Sequence, residues 1–155
     1  MLMLACALPA WPAPPPVQAP AQPPQRMADA VNRSRADAGC APVRLSAALT
    51  RAAEAHSIHM ARHRHLSHTG AGSSTPAERA RDAGFRTRQT AEVIASGPRT
   101  PQAAVSMWLD SAPHRRALLT CGFTHVGVGE AGGGGGPWWT LDLARAAGRR
   151  AGQAR

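Results

Sequence analysis

The chain has 155 residues and a formal charge of +9, and every Lys/Arg position is arginine. That length suits one domain with a real core. The arginines (Arg44, Arg51, Arg62, Arg79, Arg86, Arg99) are scattered, with no aromatic-basic stripe, which argues against a nucleic-acid partner. No segment is long and apolar enough to span a bilayer as a helix, so no transmembrane span is expected.

The N-terminal stretch divides in two. Residues 1–8 form a short apolar run that reads as a truncated signal-like segment. Cys6 after Leu4-Ala5 faintly resembles a lipoprotein cleavage site, a candidate lipid anchor. Residues 9–26 are dominated by Pro and Ala, a composition that favours extended, solvated backbone and suits a linker. The foldable part is expected at residues 27–145. Residues 146–155 form a basic tail with nothing to pack, expected to fray.

The first helix is expected over Met27 to Ala38, stopped by Gly39. Cys40 follows. With Cys6 set aside, Cys40 and Cys121 remain, and an exported chain with two such cysteines reads as one disulfide, the alternative being two buried free thiols. Ser46 is a good N-cap, and Leu49, Ala52, Ala53, His56 and Met60 recur at helical spacing to about Arg62. His56 reads as a satisfied, partly buried helix residue. His59 and His63 stand at i, i+4, but Met60 occupies the place where the metalloprotease motif needs Glu, so they read as a solvated pair.

A polar loop from His63 to Ser74 carries Ser67-His68-Thr69. Thr75-Pro76-Ala77-Glu78 is a capping box opening a short helix that stops at Gly84. Thr90 to Ala95 alternates weakly and reads as a short strand carrying Glu92. Thr100-Pro101 opens another helix with Val105, Trp108 and Leu109 inward. The chain breaks at Ser111-Ala112-Pro113, and His114 falls in the first turn of the next helix, where the helix dipole disfavours a charged imidazole. Val126-Gly127-Val128-Gly129 and Trp138 to Leu143 read as a hairpin around a glycine-rich tip. That tip has no Lys-Ser/Thr sequel and is no phosphate loop.

In this order the pieces resemble the cysteine-rich secretory protein, antigen 5 and pathogenesis-related superfamily (the CAP or SCP domain), in its bacterial secreted form. The resemblance is carried by Val31-Asn32-Arg33-Ser34-Arg35, Ala55-His56 with Met60-Ala61, Leu66-Ser67-His68-Thr69, Ala83-Gly84-Phe85 and Glu92. It continues through Trp108 to Arg115, Phe123 to Gly129 and Trp138-Trp139-Thr140. It implies an α+β fold, an α-β-α sandwich with a small antiparallel sheet between helices. It also implies a central cleft of two histidines and two acids that holds a divalent metal in some members. Carried over, these positions fall on His68, Glu92 and His114, with the fourth on Asp110 or Ser111. Zn2+ or another divalent metal is the one cofactor so implied.

Three departures from the family pattern are expected to alter the cleft; one is Ala112-Pro113-His114 where Pro-Gly-His is usual. The usual Gly-Glu-Asn around the first acid is Ala91-Glu92-Val93, and a Gln-Val-Phe-like run in the last strand is Leu141-Asp142-Leu143. No nucleophile elbow is present, so no catalytic residue is assigned and the choice between enzyme and binder stays open. The leading expectation is a secreted or extracellular monomer. It would bind a small or lipidic ligand, a cell-wall component or a protein partner through the His/Glu cleft. The alternatives are a metal-dependent, peptidase-like hydrolase using the same cleft and a surface adhesin acting through arginine.

Overall fold

The computed structural model describes residues 21–148. The leader, Cys6, most of the linker and residues 149–155 of the tail lie outside the described residues. Five helices pack on a four-stranded mixed sheet: α1 (Pro23–Asp37), β1 (Arg44–Leu45), α2 (Ala47–His63), α3 (Pro76–Asp82), β2 (Thr87–Ser96), α4 (Pro101–Asp110), α5 (Ala112–Leu118), β3 (His125–Ala131) and β4 (Trp138–Ala146). The strand order is β1-β3-β4-β2. The sheet is not wholly antiparallel as expected, because the two-residue β1 pairs in parallel with β3. The first helix starts at Pro23, four residues earlier than its apolar pattern begins, because prolines at N1 and N2 need no intrahelical N–H partner.

β4 sorts the molecule into layers. Its odd residues Trp139, Leu141 and Leu143 join Met27 and Val31 of α1, Val105 and Trp108 of α4, and Leu118 of α5 in the main core. Its even residues turn the other way. Trp138 packs with Met60 of α2 and Ile94 of β2, while Ala144 packs with Leu49 of α2. The sheet is therefore covered on both faces, α1, α4 and α5 on one side and α2 on the other.

The approach of α2 is very close. A Cβ at Gly127 would lie 2.2 Å from the carbonyl carbon of Leu49, and one at Gly129 2.2 Å from the Ala53 carbonyl oxygen. Glycine in β3 and alanine in α2 are thus what let the helix lie directly on the strand. Ser46 caps α2 by accepting from Leu49 N–H, and the expected capping box at Thr75 and Glu78 is fully formed. Cys40 and Cys121 are joined in a disulfide across 81 residues.

Candidate functional site

β2 and β4 run antiparallel in a register that sets Glu92 directly opposite Asp142. Ile94, two residues on from Glu92, packs with Met60 of α2, so both acids face the α2 layer. The Glu92 side chain is only 1% exposed, and Asp142 is 0% exposed. Burying carboxyl groups requires partners, and the two acids meet that need differently.

Glu92 is well supplied. Its Oε1 accepts from Nδ1 of His68 at 2.8 Å. Its Oε2 accepts from Nη2 of Arg79, which the capped α3 presents from the opposite side. His56 Nε2 lies 3.8 Å from Oε1. Burial pushes the Glu92 carboxyl up, but the His68 hydrogen bond and the Arg79 charge outweigh it, and the net displacement is downward.

Asp142 has no such donors. Neither of its oxygens receives a hydrogen bond from a protein N–H or O–H among the described residues. Burial, and then the neighbouring Glu92 carboxylate, push it well above its ordinary range. Of the two facing carboxyls, Asp142 is the one whose protonated form these shifts favour.

His56 enters the same cluster from α2. Its side chain is fully buried, and Nε2 bonds the Ser67 carbonyl at 2.8 Å. Burial first, with the nearby Arg79 and His59, displaces its pKa downward despite Glu92 and Ser67, which keeps the ring neutral. A carbonyl only accepts, so Nε2 carries the hydrogen and Nδ1 is a bare acceptor. Nδ1 finds no partner among the described residues, so His56 is only half satisfied. Arg79 donates through Nη1 to the His68 and Ser74 carbonyls, and its buried Nε also lacks a partner. The backbone of Gly70 closes over this group. A Cβ there would lie 2.8 Å from Ser74 Oγ, 2.9 Å from Arg79 Nη1 and 3.2 Å from His56 Nδ1.

Of the four residues expected to line the cleft, the structure joins His68 and Glu92. Asp110 closes α4 and is exposed, while Ser111 follows as the N-cap of α5. His114 sits in the first turn of α5. The apolar residues of α4 and α5 pack with Val93, Ala95 and Leu141, on the sheet face away from Glu92. Neither Asp110 nor His114 makes a side-chain hydrogen bond or ion pair with the Glu92 cluster among the described residues. His59 and His63 lie against each other with their ring centroids 4.4 Å apart and their planes tilted by 52°.

A divalent metal fits this donor set poorly. Among the described residues no three His, Cys, Asp or Glu side chains come together in a way that could hold one. Glu92, the acid of the pair whose ionised form is favoured, already has a guanidinium on one oxygen and an imidazole on the other. Three members of the cluster escaped sequence reasoning. Arg79 was one of many scattered arginines, and His56 matched an apolar helix stripe. Asp142 did carry a signal: it is the one acidic residue of β4, set between Leu141 and Leu143.

The comparisons agree with this architecture. Residues 28–143 match the model of the cysteine-rich secretory protein family. The uncharacterized protein YkwD of Bacillus subtilis (strain 168) is 29% identical over 105 residues, covering 68% of this chain and 41% of the relative, so the chain spans less than half of that protein. An extracellular SCP-domain protein of Bacillus anthracis superposes with a TM-score of 0.73 at 24% identity, over 83% of this chain and 45% of the other. An outer surface protein of Borrelia burgdorferi gives 0.72 at 18% identity, over 79% and 92%. The family match, and the same fold in these solved structures, show that the chain belongs to the CAP family, the cysteine-rich secretory proteins.

Proposed function

We propose that this is an extracellular CAP domain that binds a ligand through the cleft beside Glu92 without a metal. The observation that carries the reading is the neutralisation of Glu92 by the protein's own Arg79 and His68. A metal-dependent hydrolase needs an open coordination position and a metal-held water. Here the acid that would serve as ligand is engaged on both oxygens, and burial beside Glu92 favours the protonated form of its neighbour Asp142. The extracellular setting is supported by the Cys40–Cys121 disulfide. It is also in line with the extracellular and outer-surface proteins that share the fold.

Calorimetric titration with zinc at neutral pH is the direct test. The expected result is no saturable uptake by the wild type and no difference between wild type and His68→Ala. Stoichiometric zinc binding that His68→Ala removes, or zinc-dependent peptide hydrolysis lost in that variant, would overturn the metal-free reading in favour of the hydrolase.

A further inference from the structure

The sheet has two edges, and only one of them is long. β1 at one edge has two residues, while β2 at the other has ten and pairs with β4 alone. The ladder fixes where each main-chain group of β2 points. Just past the strand, Gly97 N–H donates to the Pro137 carbonyl at 2.9 Å, continuing the register that sets Ala91 opposite Leu143 and Val93 opposite Leu141. Main-chain groups alternate sides along a strand. Ala91, Val93 and Ala95 therefore bond to β4, and Thr90, Glu92 and Ile94 turn their N–H and C=O to the open side. The Trp108 indole agrees with this direction, since it donates to the Ile94 carbonyl at 3.0 Å.

Trp108 closes the edge at Ile94. Thr90 and Glu92 have no main-chain partner on the open side among the described residues. Solvent reaches both. Thr90 is partly exposed. Glu92 is partly exposed as a residue although its side chain is only 1% exposed, so the accessible part of Glu92 is its backbone. Two donors and two acceptors thus stand in a row, the two residues about 7 Å apart. Backbone groups of this kind need partners, and an extended chain laid alongside supplies all four.

The charge and shape of the edge narrow the occupant. From residue 86 to residue 96 the only exposed charged side chains are Arg86 and Arg88. Neither has an ion-pair partner among the described residues. An unpaired guanidinium beside a main-chain site favours a carboxylate on whatever docks there. The register shift between Thr87 and Gln89 puts a bulge at Arg88, which bends the strand and ends regular pairing. Such a bulge works against long pairing of β2 with a second copy of itself, but leaves room for a short segment.

We propose that the open edge of β2 at Thr90 and Glu92 binds an extended acidic peptide segment of a partner protein as a fifth strand, with its carboxylates drawn to Arg86 and Arg88. The assignment rests on the ligand-binding reading above and names the partner.

The test is amide hydrogen exchange, read by NMR on the 15N-labelled full chain, with three blocked pentapeptides as probes. They are Glu-Val-Thr-Val-Glu, the same peptide with lysine in place of both glutamates, and the acidic peptide with every amide N-methylated. In the free protein Thr90 and Glu92 should exchange faster than Ala91 and Val93. The acidic peptide should slow Thr90 and Glu92 at least tenfold and leave Ala91 and Val93 unchanged, and the other two peptides should not. Thr90→Pro removes the outward N–H without touching a bond to β4. It should weaken the acidic peptide at least tenfold with the circular dichroism spectrum unchanged; should it fail to fold, the wild-type exchange pattern decides the case. No protection at Thr90 and Glu92, or equal binding by the N-methylated peptide, would overturn strand addition. Equal binding by the lysine peptide would overturn the acidic assignment. Protection that grows with protein concentration alone, with sedimentation as a dimer, would give the edge to a second copy instead. Peptide shifts confined to His68 and Gly70 would overturn strand addition and leave cleft binding standing. The metal-free reading is decided separately by the zinc titration.

Discussion

Two buried arginines show how differently this fold uses one side chain. Arg35 of α1 is fully buried, and all five of its N–H groups are used. They donate to the backbone carbonyls of Ala41, Leu118, Thr120 and Phe123 at 2.8–3.3 Å. No carboxylate partners it among the described residues, and burial pulls its pKa down. Arg79 of α3 pairs with a carboxylate, two carbonyls and no fourth group, leaving Nε bare. The first is a closed network that ties α1 to the turn between α5 and β3, next to the disulfide. The second is an open network beside a surface pocket that Arg79 lines together with His56 and His59. A complete set of bonds marks a structural role, and an incomplete one marks the place where a ligand or water is expected.

Breaking the closed network should produce the largest effect. Arg35→Leu would leave the buried carbonyls of Leu118 and Phe123 without their donor, along with the less buried ones of Ala41 and Thr120, and leaving a buried group unsatisfied costs about 1–3 kcal/mol before relaxation. A loss of at least about 3 kcal/mol is expected in urea denaturation at neutral pH. Arg79→Lys keeps a cation beside the buried Glu92 and gives up only the two carbonyl bonds, so it should cost less. Equal losses for the two variants would remove the distinction between a structural and a ligand-facing arginine.

The sequence foretold the framework far better than the cluster. The caps at Ser46, Thr75 and Thr100 were readable because capping depends on residues three or four apart. The Cys40–Cys121 pair followed from counting. The small faces of α2 and β3 were visible as Ala52-Ala53 and Gly127-x-Gly129, and they do pack together. The site depends on long-range register instead. Glu92 meets Asp142 because β2 and β4 align at that residue, a fact that neither strand carries alone. Sheet alternation also decides that Glu92 faces α2, whereas the helices holding Asp110 and His114 cover the other face. Family analogy placed His68 and Glu92 together, and the hydrogen bond between them is present. Nothing local could have brought Arg79 and His56 to the same carboxylate.

Asp142 sharpens the comparison from within the open cluster. Its folded-state pKa is raised, so its protonated form is favoured by folding. Its contribution to stability is fully present below the unfolded pKa and is lost as pH rises through the folded one. Glu92 has the opposite sign: its pKa is lowered, so its contribution is present above the unfolded value and fades as pH falls through the folded one. Asp142→Asn keeps a hydrogen-bond donor towards Glu92 and removes the need for a proton. The variant should be more stable than the wild type at alkaline pH, where the wild-type carboxyl must ionise in a buried place. The gain should vanish as pH falls below the unfolded value. Denaturation midpoints across the pH range check this, and a variant less stable than the wild type at every pH would mean that Asp142 is ionised and held by donors.

The smallest effect should come from the support beneath Arg79. Thr75 caps α3 by accepting from Glu78 N–H, and Glu78 Oε2 accepts in return from the Thr75 N–H at 2.8 Å. Hydrogen bonds from Thr75 draw the Glu78 carboxyl below its ordinary range. Thr75→Ala should cost about 1 kcal/mol, the usual worth of a cap. The loss should be local, because α3 is a seven-residue helix while Arg35 sits on a fifteen-residue one. Amide hydrogen exchange should therefore quicken in α3 and the Gly70–Ser74 turn, with α1 and β4 unchanged. If α1 exchanges faster by the same factor, the two arginine networks belong to one cooperative unit, and the open one is not free to adjust around a ligand by itself.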